Sequence, residues 1–246
     1  MLCDLPAHLT KPDPSTSIAA SLPQDGAMPF VLQPIVATHD SSVYAYEVLY
    51  RGIRPVDWRE VDRRLMEFLS AEAIDLTRLS VNITNQSLVD LPASLLIAAA
   101  RRNQLIFELS EEAVSPEMAQ QVAVRVNFLS RKGLNFALDD FGAGQDGLSR
   151  LLMLDSYPIV KIDGSLLQSA LEGRSACHTL QQVIACLRRL GIIMLAERIE
   201  TPRLLAFAQW LGVDLLQGFH VDTLVPHPRA LIIPAKFAGA PGCLPR

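Results

Sequence analysis

The chain has 246 residues, 50% of them hydrophobic, which is enough apolar material for one large domain and excludes a chain disordered throughout. With 22 Lys and Arg against 26 Asp and Glu the formal charge is −4, so no global basic field exists to hold a nucleic-acid polymer. A small anionic ligand stays open if metal ions or a few placed arginines neutralise it. The four cysteines, Cys3, Cys177, Cys186 and Cys243, form no CxxC pair and no metal-ligand spacing with the histidines, as in a reducing compartment.

Residues 1–27 are rich in Pro, Ser and Asp without periodicity and read as an N-terminal tail. Acids and prolines interrupt the apolar stretch that a signal peptide needs, so the expected location is cytoplasmic. Nor does any run of ~18 apolar residues occur, so no membrane insertion is expected. From residue 28 to 225 the pattern is that of one domain. The apolar runs Phe30 to Val36 and Val43 to Leu49 read as strands, and the turn between them is too short for a helical crossover, which predicts an antiparallel hairpin. Helical spacing follows from Trp58 to Leu76, where Leu65, Phe68, Leu69 and Ala73 share a face.

Short apolar runs then alternate with helical stretches. Strands are expected at Leu79 to Ile83, Leu105 to Leu109, Leu134 to Leu138, Tyr157 to Ile162, Ile192 to Ala196 and Val213 to Leu216. Helices are expected at Gln86 to Arg101, Pro116 to Lys132, Leu166 to Leu190 and Pro202 to Leu211. Ser115-Pro116 and Thr201-Pro202 supply capping hydroxyls before first-turn prolines, and Gly133, Gly191 and Gly212 close helices. Residues 226–246 are again proline-rich and read as a C-terminal tail. This alternation implies a parallel sheet covered by helices, and the number of units favours a barrel. An open doubly wound sheet is the alternative, but no GxGxxG or Walker-type loop is present.

In such a barrel the C-terminal strand ends meet at one mouth. Here they carry Glu47, Asn82, Glu108, Asp139 and Asp140, Lys161, Glu197 and Gln217. Carboxylates that close together repel unless cations neutralise them. Oxygen donors without clustered His or Cys suit Mg²⁺ or Mn²⁺, and two adjacent aspartates invite a second ion. Two ions ~3.5–4 Å apart are the usual arrangement for hydrolysing a phosphoester.

At these residues the chain resembles the EAL domain family of cyclic di-GMP phosphodiesterases. The resemblance rests on Glu47-Val48-Leu49 with Arg51, on Gln33-Pro34-Ile35, Asn82, Glu108-Leu109-Ser110-Glu111, Asp139-Asp140-Phe141-Gly142-Ala143-Gly144, Lys161-Ile162-Asp163, Ala196-Glu197 with Glu200, and Gln217-Gly218-Phe219. It spans residues ~28–223 in the family's order, and the joint occurrence is far more specific than any one motif.

The resemblance implies an α/β fold, a TIM-like (β/α) barrel with one antiparallel strand, that hydrolyses cyclic di-GMP to linear pGpG. It implies that Glu47, Asn82, Glu108 and Asp139 hold one ion and that Asp140 helps hold a second. Lys161 then positions or activates water, and Glu197 is the general base or orients that water. Gln33 and Arg51 contact the dinucleotide, Gln217 completes the pocket, and Glu111 and Glu200 support the loop that begins at Asp140. A homodimer and inhibition by calcium are implied in the same way. Residues 145–147, Gln-Asp-Gly, and Arg198, where the family has glycine, depart from the pattern, and the interval from Glu47 to Asn82 is short. These departures keep a second reading open, a catalytically silent relative acting as a cyclic di-GMP sensor or a protein-interaction regulator. Trp58 and Trp210 read as packing residues.

Overall fold

The computed structural model describes residues 27–52, 56–109, 114–143, 150–151, 158–225 and 230–237. Its strands are β1 (Met28–Ala37), β2 (Val43–Tyr50), β3 (Leu79–Ile83), β4 (Ile106–Leu109), β5 (Asn135–Phe141), β6 (Ile159–Ile162), β7 (Ile193–Ala196), β8 (Leu215–Leu216) and β9 (Ala230–Ile233). The helices are α1 (Trp58–Ala71), α2 (Asn85–Asp90), α3 (Ala93–Asn103), α4 (Pro116–Ser130), α5 (Gly164–Glu172), α6 (Arg174–Arg189), α7 (Pro202–Leu211) and the single turn α8 (Phe219–Asp222).

Strands β2 to β8 pair in sequence order, all parallel, and β1 closes the ring by pairing antiparallel with both β2 and β8. The result is the expected TIM-like barrel with one antiparallel strand. Two expected helices are each divided, for local reasons. Pro92 stands between α2 and α3, where its missing N–H ends one helix and its fixed φ starts the next. Gly173, extended at φ −123, separates α5 from α6. Ser115 and Thr201 cap α4 and α7 as their spacing predicts.

The residues after 225 contribute more than a tail. Residues 230–233 form β9, antiparallel to the first half of β1, and Phe237 packs edge-on against Phe68 of α1 at 5.3 Å. Prolines on both sides conceal this four-residue apolar run in the sequence.

Two apolar layers hold the barrel. The larger lies between strands and helices and takes in Leu65, Phe68 and Leu69 of α1 together with strand residues such as Val81 and Phe107. The smaller comes from strands alone: Ile35, Ala37, Ala45, Ile106, Ala137, Ile159, Leu195 and Leu215. It fills the barrel's interior. Side chains alternate along a strand with a period of two, so the next inward position on each strand, nearer the mouth, stands on this dry floor.

Candidate active site

That next inward position is polar on every strand. Two residues beyond Ala45, Ile106, Ala137, Ile159, Leu195 and Leu215 stand Glu47, Glu108, Asp139, Lys161, Glu197 and Gln217. On antiparallel β1 the mouth lies in the other direction, and Gln33 stands two residues before Ile35, paired in register with Glu47. A break of register between Leu138 and Phe141 bulges β5 and leaves Asp140 at φ +54. The bulge lets neighbouring aspartates, which on a regular strand face opposite ways, reach the same mouth.

Lys161 is the centre of the row. Its buried ammonium lies 2.6 Å from Glu108, 2.8 Å from Asp139, 2.8 Å from Glu197 and 3.8 Å from Glu47. Four acids around one cation leave a negative excess. Burial pulls Lys161 down, but Glu108, Glu47, Glu197 and Asp139 outweigh it and raise its pKa well above the ordinary lysine range. For Glu108, burial and then the charge of Glu47 push the carboxyl well up against the pull of Lys161. Burial first, aided by Asp139 and opposed by Lys161, raises Glu197 to about 7. Burial and Asp139 likewise raise Asp140. Glu47 alone goes the other way: burial would raise it, but Lys161 and hydrogen bonds from Gln217 and Asn82 lower it.

Hydrogen bonds fix the rest of the row. Ser80 Oγ donates to Glu108 Oε1 at 2.5 Å, and Asn82 Nδ2 donates to Glu47 Oε1 at 2.7 Å. Gln217 Nε2 donates to Glu47 Oε2 and, at 3.2 Å, to Gln33 Oε1, while Gln33 Nε2 donates to Asp222 at 3.1 Å. Just past Asn82, the backbone N–H and hydroxyl of Thr84 both donate to Asp62 Oδ2, which anchors the start of α2. Beside Asn82 opens a cleft of about 260 Å³ lined by Tyr50, Arg51, Trp58 and Asp62. Arg51 is exposed there and donates to the carbonyl of Tyr50.

Asp139, Asp140 and Glu197 each bring one carboxylate oxygen within 4.8 Å of the others, the one such group of metal-ligating side chains among the described residues. The donor set fits a hard divalent cation: oxygen only, with Asp140 held in no ion pair among the described residues. Glu47, Asn82 and Glu108 stand in the same row and are engaged within it: Asn82 donates to Glu47, and Glu47 and Glu108 face Lys161. Arg198 occupies the left-handed region at φ +52, its stem over Gly164 and its guanidinium 3.9 Å from Asp163. Its charge also reaches Asp140.

The sequence profile of the EAL domain matches residues 53–223, well over half of the chain. The chain belongs to the EAL domain family. It is 25% identical over 229 residues to the probable cyclic di-GMP phosphodiesterase PdeN of Escherichia coli, covering 79% of this chain and 43% of that protein. It is 26% identical over 196 residues to the blue light- and temperature-regulated antirepressor BluF of E. coli, covering 76% of this chain and 48% of that one. The chain thus spans less than half the length of these curated relatives. Among solved structures, Klebsiella pneumoniae BlrP1 in complex with calcium and cyclic di-GMP superposes with a TM-score of 0.69 at 26% identity, covering 85% of this chain and 57% of that one.

Gln33, Glu47, Asn82, Glu108, Asp139, Asp140, Lys161, Glu197 and Gln217, each singled out in the sequence, thus converge on this EAL barrel's mouth. Arg51 lines the adjoining cleft. Glu200 does not join them: it is exposed before α7 and makes no hydrogen bond or ion pair among the described residues. Glu111 and residues 145–147 lie outside the described residues. Ser80 and Asp222 were missed. Ser80 was legible through alternation, being two residues before Asn82 on the same strand face. Asp222 carries no local signal, because its partner Gln33 is 189 positions away.

Proposed function

We propose that this chain is a metal-dependent phosphodiesterase that opens cyclic di-GMP to linear pGpG. The observation that carries the reading is the convergence of Asp139, Asp140 and Glu197 beside a buried lysine already shared by four acids. Mg²⁺ or Mn²⁺, two ions in this reading, supplies Lewis-acid charge for the phosphodiester and its leaving oxygen. Asp139, Asp140 and Glu197 hold the ions, with Glu47, Asn82 and Glu108 completing the set.

The chain's own groups do the rest. A water oxygen bonds to phosphorus as the bond from phosphorus to O3′ breaks, and the departing oxygen takes up a proton from solvent water, to which Glu197 later returns its own. In this reading a Glu197 carboxylate oxygen accepts the proton of the attacking water. Lys161 stays protonated and steadies the row. Arg51 offers a planar fork to a phosphate, and Gln33 and Gln217 border the dinucleotide. Cyclic di-GMP is the ligand of this reading, and the expected homodimer and cytoplasmic location go with it.

Incubation with cyclic di-GMP and Mn²⁺ or Mg²⁺ should yield pGpG, and Glu47→Ala should abolish it. Arg198, a cation beside Asp140, favours a second reading, the silent relative. Calorimetric binding of cyclic di-GMP without turnover selects a sensor; absence of both ligand and metal binding selects a protein-interaction role.

A further inference from the structure

The hydrogen bonds along the β1 side of the mouth run in one direction. Asp222 accepts from Gln33 Nε2 at 3.1 Å, Gln33 Oε1 accepts from Gln217 Nε2 at 3.2 Å, and the same Nε2 donates to Glu47. Glu47 then accepts from Asn82 Nδ2 with its other oxygen at 2.7 Å. A carboxamide has a donor end and an acceptor end and turns over at little cost, whereas a carboxylate offers acceptors only. With Asp222 at one end and Glu47 at the other, both amides have a single orientation that satisfies the chain.

That orientation has a visible cost. Gln217 is almost wholly buried, and its Oε1 has no hydrogen-bond partner among the described residues. An amide that leaves a buried acceptor unsatisfied does not choose that setting for itself. Release Gln33 from Asp222 and its amide can turn, bringing Nε2 against Gln217 Nε2. Gln217 then loses the second acceptor that holds its Nε2 and meets a donor instead, which loosens the N–H that it keeps on Glu47.

We propose that Asp222 is a positioning residue: it sets the direction of the Gln33–Gln217 chain and thereby keeps an N–H donor on Glu47 at the metal-binding mouth. The inference rests on the phosphodiesterase reading, in which Glu47 helps hold an ion. Asp222 itself lies in the short turn α8, and its hydrogen bond with Gln33 joins it to Gln217 and so to Glu47.

The test is Mn²⁺ titration by calorimetry alongside steady-state kinetics. Asp222→Ala should raise the Mn²⁺ Kd about tenfold, the usual consequence of losing one hydrogen bond to a charged group. Asp222→Asn, whose Oδ1 still accepts from Gln33, should stay within about twofold of wild type. In a Gln217→Ala background the Asp222→Ala effect should vanish, since the path between the two ends is already cut. A second route avoids any dependence on the folding of the alanine variant. Gln33→Glu combined with Asp222→Asn reverses donor and acceptor in that one contact while the new carboxylate still accepts from Gln217, so the pair should bind Mn²⁺ within about twofold of wild type.

Unchanged Mn²⁺ affinity in Asp222→Ala, an equal loss in Asp222→Asn, or additivity with Gln217→Ala overturns the inference while leaving the phosphodiesterase reading intact. Wild-type protein that binds no Mn²⁺ overturns that reading and this inference together.

Discussion

Glu197→Gln should stabilise the metal-free protein above neutral pH, although it removes an ion pair. Burial, assisted by Asp139 and opposed by Lys161, lifts the Glu197 carboxyl from its ordinary 4.5 to about 7. The folded state therefore binds this proton more tightly than the unfolded chain. The associated stability is fully present below pH 4.5 and is lost as pH rises through 7. At about 1.4 kcal/mol per tenfold in proton affinity, the loss is at most about 3 kcal/mol above pH 7.

Glutamine is neutral at every pH and escapes this loss. Lys161 still keeps Glu108 at 2.6 Å and Asp139 at 2.8 Å, so its ammonium is not stranded. Thermal denaturation in chelator at pH 5 and pH 8 is the assay. The gap between the two proteins should be small at pH 5, and the variant should melt several degrees higher at pH 8, at roughly 2–4 °C per kcal/mol for a domain of this size. A variant less stable than wild type at pH 8, or a difference equal at both pH values, refutes the reasoning.

Lys161→Met should be far more damaging, because it leaves four acids without their shared cation; a loss of about 3–5 kcal/mol is expected at pH 8, smaller at pH 5, and a urea midpoint reads it. Arg198→Gly should raise the melting temperature, since a left-handed φ of +52 costs an arginine about 1–2 kcal/mol and glycine nothing; an unchanged or lower melting temperature refutes it. Gly218→Ala should destabilise the protein by at least about 2 kcal/mol in a denaturant titration. Its new Cβ would fall 2.3 Å from the Ile199 nitrogen, whose N–H donates to the Gln217 carbonyl, so binding of Mn²⁺ should weaken as well.

Most of the mouth was legible because strand alternation and the join of each strand to its helix are local. An apolar or small residue on the floor, then a polar residue two positions later, recurs from Ala45-Glu47 to Leu215-Gln217. What escaped was settled by tertiary partners. Asp222 becomes meaningful only beside Gln33, and β9 only beside β1. The bulge at Asp139 and Asp140 depends on the register of β5 against β6, which periodicity cannot see. Pro92 was visible, but the helical spacing on either side was read across it.

The pairing of β1 also has a consequence for how the chain reaches this state. The hairpin with β2 is local, yet the other edge of β1 waits for residues 215–216 and 230–233, nearly two hundred positions later. During synthesis that edge emerges well before its partners. Ring closure is therefore among the most distant contacts in the molecule and belongs late in folding. Until then β1 offers open backbone donors and acceptors to any neighbouring strand, which makes the interval before closure the time of greatest exposure to misassembly.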